Sequence, residues 1–583
     1  MIHIKDHKQR EMFDPWDFLS PKRRRMLDET WPGLFREHIL EELPVNEMRP
    51  FFHDYFGRPS KEIHTVLGIM LLQQTMDLSD TEAVGHLAFD IRWHYALGIT
   101  DESDKAKYIS EKTLWSTRQT MASHNLDQVM LNKIAGKLAD VFEVDTENQR
   151  IDSVHIQSNM RRLGRVGIFS KTIHKFLVNL KRHHPELFDT IPEEVRQGYL
   201  SEKSLQSFSM VKPSQAEKTL QTLSADLFDL IELFKDRPEV CSMHSYKLMQ
   251  RVLCEQCNVV SDNEGDHVTV KKPKEIPSDS LQNPSDPDAS FSGHKGQGYQ
   301  VQIMETYTST DDGDEKDQTL NLITGVEVEK ACEHDSGALL PAIEAAQNQD
   351  LSPETVLADS LYGGDDNVQA AKALGVDVIA PAMPGGQSKG IGLDAFQFNE
   401  QGRVVACPAG HAPERVKYKK KNQRHSACFA LDHCAACPLS GQCPVQSGKK
   451  FNYLRYTDKE GRLAERRAFE KTEAFVDAYR WRAGVEATMS QYDRLTGVKR
   501  LRVRGLQAVR FCATLKAAGL NLLRAAAVRI ARRRASAAKD GCFSPQNGVY
   551  LFFKELFRPS LPFESKDVAS GLMADENYLK VAA

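Results

Sequence analysis

Hydrophobic and polar positions change their period twice along this chain, and each change predicts a different architecture. Over 61–76 the run is largely apolar, with Ile63, Val66, Leu67, Met70 and Leu71, which is long enough for a buried helix rather than a strand. Ser79 stands three residues before Glu82, the spacing of a capping box, and Val84, Leu87, Ala88 and Ile91 follow at helical intervals. After a polar loop at 101–107, a second long helix is expected from Ser110 through Leu114, Arg118, Met121 and Leu126. Residues 1–148 therefore read as an all-α domain. Short helices joined by turns suit a helix-turn-helix DNA-binding unit as well as a plain bundle.

From Arg150 the period becomes that of a strand, over 151–156, with Asp152 inside it. Helical pattern then returns, placing Phe169, Ile173, Phe176, Leu177 and Leu180 on one face and Leu220, Leu223, Leu227, Leu230, Ile231 and Phe234 on another. The polar stretch 261–298 reads as loop. Runs at 299–307 and 320–329 flank the acidic turn at Asp311 and predict a hairpin. A helix (336–346), a strand ending at Asp359, a helix (366–373), a strand (376–380) and, after an interruption, a helix bearing Glu486 complete the order β-β-β-α-β-α-β-α. This is the element order of a ribonuclease H-like mixed sheet in the α/β class, in which the first and fourth strands are neighbours. The expected division is a helical domain at 1–148 and a catalytic domain at 149–540. The latter is interrupted by a helical insertion (157–298) and a Cys-rich insertion (400–450), and a tail follows at 541–583.

Composition narrows the class. With 583 residues the chain exceeds a single core of about 250–300 residues. No stretch approaches the ~18 uninterrupted apolar residues of a membrane span, and the polar start does not read as a signal peptide, so a cytoplasmic chain with reduced or metal-bound cysteines is expected. The net charge of −4 does not suggest a nucleic-acid binder, but 480–539 carries fifteen Lys and Arg against Glu486 and Asp493. Asp152 and Asp359 in apolar strands, with Glu486 on a helix among arginines, are the donors a sheet-and-helix scaffold uses to hold divalent metal ions at a phosphodiester.

These residues resemble the bacterial insertion-sequence transposases of the DDE class. Tyr479, Arg482 and Glu486 fit the Tyr-x2-Arg-x3-Glu signature, and their steps of three and four place them on one helical face. The family's following lysine falls at Asp493, with Arg494 and Lys499 close behind. Ala358, Asp359, Tyr362 and Asn367 are similar to the second-acid motif, and Asp152 sits in a segment like the first-acid strand. The resemblance implies catalytic acids Asp152, Asp359 and Glu486 holding Mg²⁺ or Mn²⁺, and cleavage of element ends and their joining to target DNA. It also implies a homo-oligomer on that DNA, and a phosphate track of Tyr479, Arg482, Arg494, Lys499, Arg500, Arg502 and Arg504. A DNA-binding descendant without chemistry is the alternative.

Five cysteines fall within 407–443. Thiolates two residues apart can grip one tetrahedral ion, so Cys407, Cys434, Cys437 and Cys443 are expected to bind structural Zn²⁺, with Cys428, His411, His425 or His433 as replacements. Cys241 with His244, and Cys254 with Cys257, imitate this spacing among helices and read as structural. His334-Asp335 reads as a helix cap more readily than as a metal ligand. The basic run at Lys22 reads as solvated, and the basic side of the 505–538 helix as facing solvent or DNA.

Overall fold

The helix Leu506–Lys539 is buried on every side over 511–523, so other elements must cover it all round there. Val509, Phe511, Leu515, Ala518, Leu520 and Leu522 are all buried. A Cβ at Gly519 would lie 2.0 Å from Thr75 Oγ1, so this helix and the fully buried helix Ile63–Thr75 pack at a distance that only glycine permits. The helix is long and apolar enough to cross a membrane, yet its most apolar window is 89% buried within the protein.

In this computed structural model, residues 1–7, 14–201, 206, 208–262, 265–383 and 390–539 are described. Met1–Ala531 forms one unit and Arg532–Ala583 a second; the expected tail 541–583 lies outside the described residues. Among the described residues, the part preceding residue 148 contains helices and no strand. Ser79 and Glu82 form the capping box as expected, but the helix ends at Phe89, because Asp90 accepts from Arg92 N and starts a new helix, Ile91–Ala96. Similarly, the helix capped by Ser110 stops at Ser123. Asn125, at φ 56°, turns the chain into the separate helix Leu126–Phe142.

The fold is mixed α/β. Its main sheet comprises β1 (Asn148–Gln157), β2 (Ser290–Ser292), β3 (Gly296–Thr306), β4 (Ile323–Lys330), β5 (Thr355–Leu357) and β6 (Asp377–Ile379). β3 runs antiparallel to β1, β2 and β4, while β5 is parallel to β1 and β6 parallel to β5. One face buries Ile151, Met304, Val356 and Tyr362 beneath Leu339 and Ile343 of the helix Leu339–Gln347. The acidic turn before β4 holds a short helix, Gly313–Gln318, capped by Asp312. Between β1 and β2 the helices Arg165–His183, Ala216–Phe234 and His244–Gln256 gather the predicted apolar faces into a core of their own. Part of the expected 261–298 loop is instead the hairpin Cys257–Asp262/Gly265–Val270. Its side chains are largely exposed, so hydrophobic alternation could not announce it.

The other sheet face is organised by a buried carboxylate. Glu305, on β3, is fully buried and takes Arg150 Nη2 at 2.7 Å, Arg524 Nη1 at 3.1 Å and Thr488 Oγ1 at 2.8 Å. Strand β1, the helix Gly484–Thr496 and the long C-terminal helix are thereby tied to one side chain. As far as Arg524 the basic side of the long helix is therefore internal where it was expected to face solvent or DNA, while Arg532, Arg533 and Arg534 are exposed as expected. Arg510 pairs with buried Asp127 at 3.3 Å, and buried Lys516 Nζ reaches Asp77 Oδ1 at 2.8 Å. Asn521 exchanges two 2.8 Å hydrogen bonds with the backbone of Ile323.

Removing one partner of a buried charge cluster leaves the others desolvated and unpaired. Glu305→Ala should therefore cost about 3–5 kcal/mol in urea unfolding, and Glu305→Gln, which keeps an acceptor, clearly less. A loss for Glu305→Ala within the roughly ±0.5 kcal/mol of an ordinary surface change would contradict its role as the tie.

Candidate active site

Strand geometry alone brings the first two acids together. In the parallel pairing of β1 with β5, Arg150 lies opposite Leu357. Two residues further along each chain come Asp152 and Asp359, so continuing the register sets them side by side. Residues two apart on a strand face the same way, so Asp152 shares the sheet face of Arg150, over which the Glu486 helix lies. Arg150 fixes that helix's start, because its Nη1 donates to Trp481 O at 2.6 Å. A Cβ at Gly484 would come within 2.2 Å of the same nitrogen, so the glycine lets the guanidinium sit beneath the turn.

Glu486 is exposed and lines a cleft of about 490 Å³ together with Asp152, His155, Lys295, Asp493, Arg494 and Lys499, among others. The position where a lysine was expected, Asp493, thus belongs to the cleft. Its carboxylate accepts from Lys499 N at 3.1 Å and lies 3.9 Å from Lys499 Nζ. Tyr479 closes the helix Glu473–Tyr479, and a 3₁₀ turn, Arg480–Ala483, precedes the Glu486 helix. The expected single helical face is therefore broken between Tyr479 and Glu486. Arg482 turns to the sheet, its Nη2 2.8 Å from Asp152 Oδ2. Among the outer cations, Arg500 is exposed, Arg502 pairs with Asp77 at 3.2 Å and Arg504 points at the Met160 sulfur at 3.5 Å.

The second-acid motif braces its own carboxylate. Asp359 Oδ1 accepts from Leu361 N at 2.8 Å, and Asn367 Nδ2 donates to Tyr362 O at 3.1 Å and Ser336 O at 2.7 Å. The buried Tyr362 hydroxyl bonds to Gln302, which donates to Asp335 Oδ1 at 2.9 Å. His334 does cap the helical turn after it, but Asp335 is buried close enough to raise the pKa of Asp152. Lys295 stands between, 2.8 Å from Ser153 Oγ and 3.7 Å from Asp335 Oδ2. Sequence reasoning missed Lys295 and undervalued Asp335; neither lies in a periodic or spaced motif, so only the folded register reveals them.

Burial is the main reason the Asp152 carboxyl is pushed above the usual carboxylate range; Arg482 and the Ser153 amide oppose the rise, and Asp359 and Asp335 add to it. Among the described residues, one group of three His, Cys, Asp or Glu donors lies mutually within 4.8 Å, His7, Glu62 and His64, and it is remote in sequence from these acids.

Cys407, Cys434 and Cys443 pack against the inner face of the sheet Arg415–Lys419, Arg424–Phe429, Asn452–Thr457, with Phe396, Ala427 and Phe429. Burial raises the Cys443 thiol, and Cys434, Cys407 and Cys437 raise it further, so each of the three lies near Cys443, although among the described residues no three of these thiols lie mutually within 4.8 Å. Cys428 is one residue from both Ala427 and Phe429 and so belongs to the opposite face. His425 Nε2 donates to Asp458 Oδ1 at 2.7 Å, while His411 and His433 stack at 4.5 Å. Cys241 is bonded to the Phe234 and Lys235 carbonyls, Cys254 is exposed and Cys257 is buried. In the basic run, Lys22, Arg23 and Arg25 are exposed, while Arg24 pairs with Asp14 at 3.0 Å.

A carboxyl with a raised folded-state pKa binds protons more readily folded than unfolded. Its ionisation therefore lowers stability as pH rises from the ordinary Asp range through the raised value. Asp152→Asn should then gain about 0.5–2 kcal/mol at pH 7, with the gain vanishing below the ordinary Asp range. Urea unfolding at both pH values checks this, and a net loss at pH 7 would refute it.

Two family models match separate stretches of the chain. The model described as Transposase DDE domain covers 406–526, which includes the cysteine cluster, Tyr479, Arg482 and Glu486. The model described as Transposase domain (DUF772) covers 27–120, within the N-terminal helices. A search of curated proteins returns no match. Two transposase models matched in succession, over 27–120 and 406–526, make these stretches similar to insertion-sequence DDE transposases and support that family for the chain.

Proposed function

We propose that the protein cleaves the ends of its DNA element and joins them to target DNA at Asp152, Asp359 and Glu486, working as a homo-oligomer on that DNA. The observation that carries this reading is the parallel β1–β5 register, which sets two carboxylates side by side, with Glu486 in the same cleft as Asp152. On this reading the sheet is ribonuclease H-like and 149–540 is the catalytic domain, interrupted at 157–298 and 400–450. Residues 1–148 are then a helical domain that engages element ends.

The acids suit a hard divalent cation, Mg²⁺ or Mn²⁺, by their oxygen donors and by the burial, with Asp359 and Asp335 nearby, that raises Asp152. Such an ion, when bound, stabilises negative charge at a scissile phosphate and lowers the pKa of an attacking water or 3′-hydroxyl. Asp152, Asp359 and Glu486 would hold it, and Asp335, through Gln302, holds the Tyr362 hydroxyl in the turn that follows Asp359. Arg482 rests on Asp152 and is placed to turn to a phosphate entering the cleft, while Arg494 and Lys499 line its wall and can neutralise the backbone. Burial keeps the Tyr479 phenol protonated, so it can offer a hydrogen-bond donor near Asp152 and Asp359. Cys407, Cys434, Cys437 and Cys443 supply the four-thiol donor set of a structural Zn²⁺.

Incubated with the DNA that flanks its gene, the protein should cut strands only with Mg²⁺ or Mn²⁺ and stop in EDTA. Asp152→Ala should bind the same DNA and cleave at least about 100-fold more slowly, since even residues one shell removed from a metal cost 10–100-fold. Cleavage that survives chelation, or normal cleavage by Asp152→Ala, would remove the reading.

About one zinc per chain should co-purify, and the double variant Cys434→Ser, Cys437→Ser should lose it and melt the insertion earlier, because binding and local folding are linked. Metal analysis that finds no zinc in fresh wild-type protein, with these thiols freely reactive, would falsify the zinc assignment.

A further inference from the structure

The sheet beside the cysteine cluster has two dissimilar faces. Ala427, Phe429, Leu454 and Tyr456 point inward to a small core, whereas alternation directs Arg415, Lys417, Lys419, Arg424 and Arg455 outward, and all five are exposed. The register sets Lys419 opposite Arg424, and Ser426 between Lys417 and Arg455, so cations from three strands share one surface. Like charges on facing strands oppose sheet formation. No internal acid relieves them: among the described residues, none of the five has a carboxylate within 4.0 Å.

Composition sharpens the contrast, since 415–457 contains nine Lys and Arg against Asp432 alone, in a chain of net charge −4. Arg415 lies over the Phe451 ring at 4.9 Å and Arg455 over Tyr453 at 5.2 Å, which holds both guanidinium groups against the sheet.

This surface is also fixed to the acid site. The last strand runs through the capping box of Thr457 and Glu460 into the helix Asp458–Phe469. Arg462 of that helix takes buried Asp365 in two hydrogen bonds of 3.0 and 2.6 Å, and Arg466 donates to Gly363 O at 2.7 Å and Ala380 O at 2.9 Å. Both grips fall on the turn that follows Asp359, so the cationic sheet is held in a set position relative to that carboxylate.

We propose that the outer face of this sheet is a second DNA-binding surface that grips the phosphodiester backbone of duplex lying beyond the cleft, without reading its sequence. The proposal rests on the transposase reading above and adds to it a site outside the cleft. An array of unpaired, exposed cations that the fold does not neutralise fits a polyanion, whose phosphates release counterions as the cations replace them.

The test uses the full chain with Lys417→Gln, Lys419→Gln and Arg424→Gln together, and a charge-keeping control, Lys417→Arg with Lys419→Arg. Duplexes of unrelated sequence are titrated at several salt concentrations, and thermal melting is followed in parallel. The neutralised variant should bind every duplex more weakly, with a log–log salt slope shallower by about two to three for three lost contacts. Its melting temperature should be equal or higher, since repulsion has been removed, and the control should bind as the wild type does. Unchanged affinity and slope in a folded variant would overturn the proposal while leaving the transposase reading intact. Loss of self-association or of an acidic protein partner without loss of DNA affinity would overturn it in favour of a protein-binding face. Wild-type protein that binds no duplex at low salt would overturn the transposase reading itself.

Discussion

The arrangement depends on one buried carboxylate. Glu305 has no exposure and satisfies two arginines and a threonine drawn from three segments far apart in sequence. An ion cluster of this kind is not a strong source of net stability, because desolvation consumes most of the Coulombic attraction. Its effect is on position. With Arg150 bound to Glu305 and to Trp481 O, the start of the Glu486 helix can occupy one place over β1 only, and that place is two residues from Asp152.

The acid site is the complement of that tie. Glu305 is matched by cations, whereas Asp152 lies close to Asp359 and is paired with Arg482. Buried and crowded carboxylates lower stability, and the rise in the Asp152 pKa, due first to burial and then to Asp359 and Asp335, is the signature of that cost. The neighbouring network of Tyr362, Gln302, Asn367 and Asp335 ties the turn after Asp359 to β3. An excess of negative charge held rigidly, with positive charge nearby on an arginine that can turn away, is what an incoming cation and phosphate together would neutralise.

Elements whose signals are local were legible in the sequence. The Ser79–Glu82 box, the buried 63–75 helix, the helical faces of the insertion and the strand at Asp152 each rest on spacing within a few residues. The neighbouring placement of the first and fourth strands followed from element order, and the structure shows them paired. What could not be read depends on tertiary partners. Asn125 gives no warning of its left-handed backbone, and Asp335 looks like an ordinary cap residue until β3 brings Gln302 to it. The arginines and lysine of the last helix looked like a DNA track because composition cannot tell an outward cation from one whose partner, such as Asp127 or Asp77, lies hundreds of residues away.

That failure separates the chain's basic charge into two populations with opposite physics. Arg150, Arg510, Lys516 and Arg524 are buried or half-buried and each meets an acid, so they serve as internal ties and are unavailable to any ligand. The outward cations of the three-stranded sheet meet none, and they stand on an element where the β-register forces them together. Net charge averages over both and comes out negative. The quantity that bears on polyanion binding is the charge left unpaired after folding, and five such cations share one face of this sheet, which Arg462 and Arg466 join to the segment after Asp359.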